Sequence, residues 1–218
     1  MSDSASAANP PLRAQDYAAV GDWPGYFATV KGKPPRDTLV TALANFERTE
    51  GPGYAGLAVD LGCGEGRDTR EMLLRGWRVL AIDAHPDAFR LLNEQLAPGL
   101  EARLQTQLAT FAQATWPRGA DFINASYSLP FCPPEDFPAV WDRIVTTLRR
   151  GGRFAGQLFG DRDDWASIPG RSHHTRADVD RLLAPFDVEE LREEAKEDGP
   201  DTPRPKRWHI FHIVARKR

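Results

Sequence analysis

The chain has 218 residues, of which 41% are hydrophobic and 27% charged, and its formal net charge is −3. This length suits one domain with a short extension, and the composition is ordinary for a globular protein in water. Since the sequence has no apolar run near the roughly 18 residues of a membrane span, no apolar signal segment and no basic face, we expect a cytoplasmic protein that binds neither membrane nor nucleic acid.

The first part of the chain differs in composition from the rest. Residues 1–16 are rich in Ser, Ala, Asn and Pro, which predicts a disordered lead-in before a single domain over residues 17–218. The domain begins with a helical region over about 17–50 that carries Trp23 and Tyr26. These aromatic side chains either pack against the edge of a sheet or belong to a lid that closes over a ligand.

After this region, short apolar runs alternate with helical patterns. Residues 57–61 are apolar and lie between glycines, which is typical of a buried parallel strand. Further strands are predicted over 77–83, 104–111, 120–129, 151–160, 186–197 and 207–217, and helices over 37–47, 67–76, 85–96, 133–149 and 174–184. The last two strands have no helix between them, which predicts an antiparallel hairpin. The whole order indicates a doubly wound α/β fold with a seven-stranded, mostly parallel sheet.

Three glycines follow the first strand, at the point where a doubly wound sheet places its ligand. Gly62, Gly64 and Gly66 free the main chain to turn and to approach a ligand, although a glycine turn can also serve packing alone. Asp83 ends the second strand, where a carboxylate can accept hydrogen bonds from both ribose hydroxyls or cap the next helix. Together these features favour a nucleoside site. A dinucleotide motif needs glycine where this chain has Arg67, so the spacing disfavours NAD.

The segment DLGCGEG, from Asp60 to Gly66, resembles the signature of class I S-adenosylmethionine-dependent methyltransferases. Ile82-Asp83-Ala84 is similar to the ribose-binding strand end of that family, and the resemblance extends over about 17–218. Less specific similarity, in PFCPPEDF and in the C-terminal strand, resembles the small bacterial methyltransferases of the tellurite-resistance type. The resemblance implies a Rossmann-like methyltransferase fold, S-adenosylmethionine as the cofactor and S-adenosylhomocysteine as its product.

The resemblance also implies roles for individual residues. Asp60 would bind the methionine amine, Asp83 the ribose, and Thr110 with the amide of Phe111 the adenine, although Phe111 is equally compatible with a core position. Arg36 is the candidate for the methionine carboxylate, or else a solvated surface arginine. The residues predicted to bind the cofactor are Trp23, Tyr26, Arg36, Asp60, Gly62, Cys63, Gly64, Gly66, Asp83, Ala84, Thr110, Phe111 and Ser126.

Methyl transfer from a sulfonium needs a positioned, desolvated nucleophile but no obligatory base. If the acceptor were an alcohol or an amine, a base would help, and the polar residues near the strand tips are the candidates: Tyr127, Asp161, His173 and His174. Each of these four residues also has a purely structural interpretation. The two cysteines and five histidines show no zinc-ligand spacing, so no metal is expected.

The leading hypothesis is transfer of a methyl group to a small-molecule, metalloid or chalcogen acceptor. One alternative is a methyltransferase acting on protein or nucleic acid, which the lack of an added recognition domain or basic stripe disfavours. Another is a non-catalytic protein that binds S-adenosylmethionine or S-adenosylhomocysteine. A nicotinamide oxidoreductase is the third.

Overall fold

The computed structural model of the protein describes residues 11–218. The helices are α1 (Ala14–Val20), α2 (Trp23–Val30), α3 (Asp37–Glu50), α4 (Arg67–Leu74), α5 (Pro86–Glu94), α6 (Phe137–Thr147) and α7 (Arg176–Leu182). The strands are β1 (Leu57–Leu61), β2 (Arg78–Asp83), β3 (Leu104–Leu108), β4 (Ala120–Ala125), β5 (Leu148–Gly160), β6 (His173–His174), β7 (Phe186–Glu197) and β8 (Arg207–Lys217). Every strand and helix predicted between residues 37 and 217 is present, with shifts at the ends.

The strands form one sheet in the order β3-β2-β1-β4-β5-β8-β7. The first five strands of this order are parallel, and β8 runs antiparallel to both β5 and β7. The predicted doubly wound, mostly parallel seven-stranded sheet with an antiparallel C-terminal hairpin is therefore confirmed. The two-residue strand β6 was not predicted, and it pairs with the end of β5 at Phe159 and Gly160.

Helices cover both faces of the sheet, which explains why the central strand β1 is almost entirely apolar and buried. On one face α3 presents Leu39, Leu43 and Phe46, spaced one or two helical turns apart, to the sheet. On the other face α6 packs Trp141 against Phe154 of β5, with ring centroids 5.0 Å apart. This packing holds the carboxyl ends of β1, β2 and β4 side by side, where the candidate site lies.

The start of the domain differs from the prediction. The expected boundary at residue 16 falls inside α1, which begins at Ala14. The Arg13 guanidinium lies 2.9 Å from the Asp198 carboxylate in the loop between β7 and β8, so the chain is already tied to the domain at residue 13. The rest of the predicted lead-in, residues 1–10, lies outside the described residues.

Candidate functional site

The loop between β1 and α4 turns across the ends of the strands. The amides of Gly62 and Cys63 both donate to the Ile82 carbonyl, at 2.8 and 3.1 Å, which anchors the loop to β2. Gly62 has φ +70°, and a Cβ there would lie 2.4 Å from the Ser128 Cβ. Gly64 has φ +55° and lies against the Phe27 ring. Both positions combine a left-handed backbone with a close neighbour, so they require glycine.

Gly66 serves packing and does not line the cavity described below. It precedes the first residue of α4 with φ +86°, and a Cβ there would lie 2.4 Å from Leu92 of α5. The sequence prediction that Gly66 binds the cofactor therefore differs from its place in the structure. The third glycine of the loop lets α4 approach α5 closely, while the first two face the cavity.

Asp83 is held by the main chain at the end of β2. One carboxylate oxygen accepts the Gly64 amide at 2.9 Å, and the other accepts the His85 amide at 2.8 Å. Each carboxylate oxygen can accept a second hydrogen bond, so two acceptors remain for a ligand. Partial burial raises the pKa of Asp83, opposed by these two amide bonds. The side chain is thus fixed in position for a bidentate contact with a diol.

Asp60 lies at the centre of a buried polar network that the sequence prediction did not contain. It is only 1% exposed, and it accepts hydrogen bonds from Thr69 Oγ1 at 2.5 Å and from Asn124 Nδ2 at 2.9 Å. The same Asn124 Nδ2 lies 3.1 Å from Asp68 Oδ2, and Asp68 accepts the Arg36 amide at 3.0 Å. Burial, reinforced by the nearby Asp68 charge, raises the pKa of Asp60 to about 7. The network therefore places two carboxyl groups where a cationic ligand group would stabilise them.

These groups open onto one cavity of about 760 Å³. Its volume is in the upper part of the range of about 300–1,000 Å³ for small-molecule sites. Twelve of the thirteen residues predicted to bind the cofactor line it, the exception being the third glycine of the loop. They are Trp23, Tyr26, Arg36, Asp60, Gly62, Cys63, Gly64, Asp83, Ala84, Thr110, Phe111 and Ser126.

Arg36 brings a cation to this cavity. Its guanidinium lies over the Tyr127 ring, 4.4 Å from the centroid, and donates a long hydrogen bond of 3.5 Å to the Tyr26 hydroxyl. Within residues 11–218 its Nε is buried without a hydrogen-bond partner, and no carboxylate pairs with the guanidinium. A buried donor left unsatisfied is costly, so this arrangement favours an anionic ligand group.

Of the four candidates for a general base, only Tyr127 lines the cavity. It has φ +55°, a strained conformation for a non-glycine residue, and its amide donates to Gln157 Oε1 at 3.0 Å. Burial raises the pKa of the Tyr127 hydroxyl, which makes it a poor base. The cavity lining does not include Asp161, His173 or His174. The strand β6 carries the two histidines along the end of β5. Their assignment as candidate bases stays a prediction.

The comparisons with known proteins agree with this geometry. Residues 58–152 match the family model described as a methyltransferase domain. The matched segment spans 95 of the 218 residues. It holds four of the five residues of β1, the glycine loop, Asp83 and the first five residues of β5. No protein among the curated sequences matches the chain significantly.

Solved structures show the same fold at low sequence identity. TehB from Haemophilus influenzae has a TM-score of 0.71 at 19% identity, covering 90% of this chain and 67% of that one. A 1,6-didemethyltoxoflavin-N1-methyltransferase from Burkholderia thailandensis has a TM-score of 0.60 at 22% identity, and the match covers 95% of this chain and 92% of that one. The N-methyltransferase NodS from Bradyrhizobium japonicum, solved with S-adenosylhomocysteine, has a TM-score of 0.64 at 14% identity, and the match covers 91% of this chain and 98% of that one. The predicted Rossmann-like methyltransferase fold is thereby confirmed.

Two further findings bear on the predicted partners. None of the helices within residues 11–218 is long and apolar enough to cross a membrane. Over the same residues, His, Cys, Asp and Glu side chains form no group of three or more that could hold a metal ion.

Proposed function

We propose that the domain transfers the methyl group of S-adenosylmethionine to a small-molecule acceptor in the cytoplasm. The observation that supports it most is the charge pattern of the cavity. The cavity is lined by buried Asp60 and Asp68, by Arg36, whose guanidinium has no carboxylate partner among the described residues, and by Asp83 at the end of β2. These charges complement the amine, the carboxylate and the ribose diol of one ligand.

In this proposal each end of the cofactor meets a different part of the cavity. Asp83 accepts the ribose hydroxyls, Asp60 faces the methionine amine, and Arg36 pairs with the methionine carboxylate. The adenine lies beside Ala84 and Phe111, which line the same cavity. When bound, the cofactor supplies a methyl group activated by positive sulfur. The chain's own task is to orient the reactants and to exclude water around them.

The helices α1 and α2 form the lid of this proposed site. Trp23, Tyr26 and Phe27 of α2 line the cavity. The Arg171 guanidinium donates to the carbonyl oxygens of Ala18 and Ala19 at the end of α1, each at 2.8 Å. Ala18 of α1 and Phe27 of α2 are buried in two small apolar clusters, so the lid is held by this packing as well as by the polar bonds. Because these clusters are separate from the two large cores of the domain, the segment can open for ligand exchange.

A small acceptor is favoured over a macromolecule because the lid and the β7–β8 hairpin both line the cavity. Similar folds are used by enzymes with small substrates, such as the 1,6-didemethyltoxoflavin-N1-methyltransferase solved with its substrate and S-adenosylhomocysteine. The test is calorimetric titration with S-adenosylmethionine, S-adenosylhomocysteine and NAD, followed by labelled methyl transfer to a panel of acceptors. Binding of NAD alone would refute the proposal. Cofactor binding without turnover on any acceptor would favour a non-catalytic binding protein.

Arg36→Met should weaken binding of S-adenosylhomocysteine by about 10- to 100-fold, because a charge-assisted contact contributes about 1.5–3 kcal/mol. It should leave 5′-methylthioadenosine unaffected, since that ligand has the same nucleoside but lacks the amino acid. Calorimetry with both ligands measures the difference. Arg48→Met, on the exposed side of α3, is the matched control. Equal weakening of the two ligands would contradict a carboxylate contact by Arg36.

Affinity for S-adenosylhomocysteine should rise several-fold between pH 6 and pH 7.5. The pKa of Asp60 is about 7 in the folded apo protein, compared with an ordinary value of 3.8, so the carboxyl group keeps its proton up to about pH 7. The cationic amine of the ligand favours the ionised carboxylate, so binding improves as this proton is lost. Calorimetric titration at several pH values measures this rise in affinity.

The free energy of unfolding of the apo protein should fall as the pH rises from about 4 to about 7. In this range the unfolded chain has already released the Asp60 proton, while the folded protein still holds it. Urea unfolding at several pH values measures this effect. Asp60→Asn should remove both pH effects, and an unchanged pH dependence in that variant would assign them elsewhere.

A further inference from the structure

The Arg36 guanidinium, assigned to the methionine carboxylate, is held by the face of an aromatic ring. Its Cζ lies 4.4 Å from the centroid of the Tyr127 ring. Among the described residues it pairs with no carboxylate, and its only side-chain hydrogen bond, to the Tyr26 hydroxyl, is long at 3.5 Å. A stacking contact uses the flat face of a guanidinium, whereas the N–H donors lie in its plane. The Tyr127 ring therefore holds the cation and leaves its donors free for a ligand.

The position of the Tyr127 ring depends on an unusual main-chain conformation. Tyr127 has φ +55°, in the left-handed region that residues with a Cβ rarely adopt. Such a conformation costs free energy and persists only where neighbouring groups hold it. The group that holds it here is Gln157 of β5, whose Oε1 accepts the Tyr127 amide at 3.0 Å. This bond fixes the main chain from which the ring projects towards Arg36.

The other end of the Gln157 amide holds the helix that follows Arg36. Its Nε2 donates to Thr38 Oγ1 at 2.9 Å, and Thr38 lies in the first turn of α3, two residues after Arg36. Gln157 and Thr38 are both fully buried, so water does not compete for this bond. One side chain thus ties two segments to the same point of β5: the residue beneath the guanidinium and the start of α3.

A buried glutamine in an interior strand also needs partners simply to satisfy its polar atoms. The two partners of Gln157, however, both set the position of one cation, and Gln157 itself does not line the cavity. The main chain of Arg36 has a separate anchor, because its amide donates to Asp68 Oδ1 at 3.0 Å. Loss of the Gln157 bonds would therefore release the guanidinium while the main chain of Arg36 stays attached to α4.

We infer that Gln157 is a positioning residue for the methionine end of the cofactor. It holds the Tyr127 ring against Arg36, so that the free donors of the guanidinium meet the methionine carboxylate. This inference rests on the proposed function, in which Arg36 binds that carboxylate. A bidentate contact needs the guanidinium in one orientation, and a flexible arginine loses rotamer entropy on reaching it. Gln157 reduces this loss on binding, because the orientation is set before the ligand arrives.

The test compares S-adenosylhomocysteine with 5′-methylthioadenosine, which lacks the amino acid, by calorimetry on the full chain. Gln157→Met removes both hydrogen bonds and keeps a side chain of similar size. It should weaken S-adenosylhomocysteine by about three- to tenfold and leave 5′-methylthioadenosine within about twofold, because only the first ligand meets Arg36. Equal weakening of the two ligands would show a purely structural role and overturn the inference. Absence of S-adenosylhomocysteine binding by the wild type would instead refute the proposed function.

The same change in the Arg36→Met background shows whether Gln157 acts through the cation. Since Arg36→Met already removes the contact with the carboxylate, adding Gln157→Met should weaken S-adenosylhomocysteine by less than about twofold more. Full additivity of the two losses would overturn the inference.

Gln107→Met on β3 is the matched control. The Gln107 side chain makes the same two kinds of hydrogen bond: its Oε1 accepts the Thr115 amide and its Nε2 donates to Thr115 Oγ1, both at 2.7 Å. Gln107 does not line the cavity and has no bond to Arg36 or Tyr127. The control should keep the wild-type ratio of the two dissociation constants. A change in that ratio as large as the change in Gln157→Met would overturn the inference.

Tyr127→Asn carries the same test without altering the buried strand β5. Asparagine tolerates the left-handed region, so the main chain can stay in place while the ring is lost. This variant should lose affinity for S-adenosylhomocysteine selectively, by about three- to tenfold, and Tyr127→Phe, which keeps the ring, should recover most of that loss. An unchanged ratio of the two dissociation constants in Tyr127→Asn, or an equal loss in Tyr127→Phe, would overturn the inference.

Discussion

Asp83→Asn should weaken S-adenosylhomocysteine and 5′-methylthioadenosine equally, by about 30- to 1,000-fold. Both ligands contain the ribose whose hydroxyls are assigned to this carboxylate. The amides of Gly64 and His85 point at the two oxygens of Asp83, so an Asn amide group would set a donor against one of them. Loss of the charge-assisted bonds together with this unsatisfied donor should cost about 2–4 kcal/mol. Calorimetry with each ligand gives the two dissociation constants.

The control for Asp83→Asn is Asp87→Asn, the same chemical change in the first turn of α5. Asp87 forms an ion pair with Arg90 at the surface, at 3.0 Å, and does not line the cavity. A surface pair contributes little, so this variant should bind both ligands as the wild type does. If Asp83→Asn weakened S-adenosylhomocysteine but spared 5′-methylthioadenosine, the ribose assignment would be wrong. The carboxylate would then belong with the amino acid part of the ligand.

The sequence predicted the parts of the site that depend on local main-chain geometry. A turn between a strand and a helix needs glycine wherever φ is positive and a neighbour is close, as at Gly62 and Gly64. A strand that ends in Asp83 presents its carboxylate at the same edge of the sheet. Such requirements fall on a few adjacent residues and are visible in one sequence. Gly66 meets the same backbone requirement but serves the packing of α4 on α5, a distinction that spacing alone does not make.

The parts that were missed depend on pairing between distant segments. Asp60 and Asn124 are 64 residues apart, yet they are direct neighbours in the parallel register of β1 and β4. Asn124 then joins Asp60 to Asp68. A buried polar residue in the predicted strand over 120–129 was the available signal, because polar side chains in a central strand need a partner. The strand order that supplies this partner is set by the packing of the whole sheet.

The sequence did not predict where His173 and His174 lie, again because their position depends on pairing with a distant strand. Polar residues that follow a strand tip were expected to face the ligand edge of the sheet. Instead β6 pairs with Phe159 and Gly160 at the end of β5, and the His174 ring packs 4.4 Å from that of Phe137. Burial lowers the pKa of His174 to about 4, so the ring stays neutral inside this packing. The sequence contains no pattern that predicts a two-residue pairing of this kind.

Gly62→Ala should lower the free energy of unfolding by about 2–5 kcal/mol and abolish measurable cofactor binding. The left-handed backbone at φ +70° costs about 1–2 kcal/mol with any Cβ, and the new Cβ would lie 2.4 Å from the Ser128 Cβ. Ser128 cannot move away freely because its hydroxyl donates to the Leu61 carbonyl. Overpacking of this kind costs about 1–3 kcal/mol more. Urea unfolding, with and without S-adenosylhomocysteine, measures both consequences.

Gly119→Ala separates backbone strain from the clash at Gly62. Gly119 has φ +76°, but a Cβ there would meet nothing within 4 Å, so only the strain of about 1–2 kcal/mol is expected. A second comparison removes the neighbour: Ser128→Gly takes away the Cβ that Gly62→Ala would meet. The double variant should then lose less stability than the sum of the two single losses, by roughly 1–3 kcal/mol. Additive losses, or equal losses in Gly62→Ala and Gly119→Ala, would show that the clash with Ser128 is not what requires glycine in this loop.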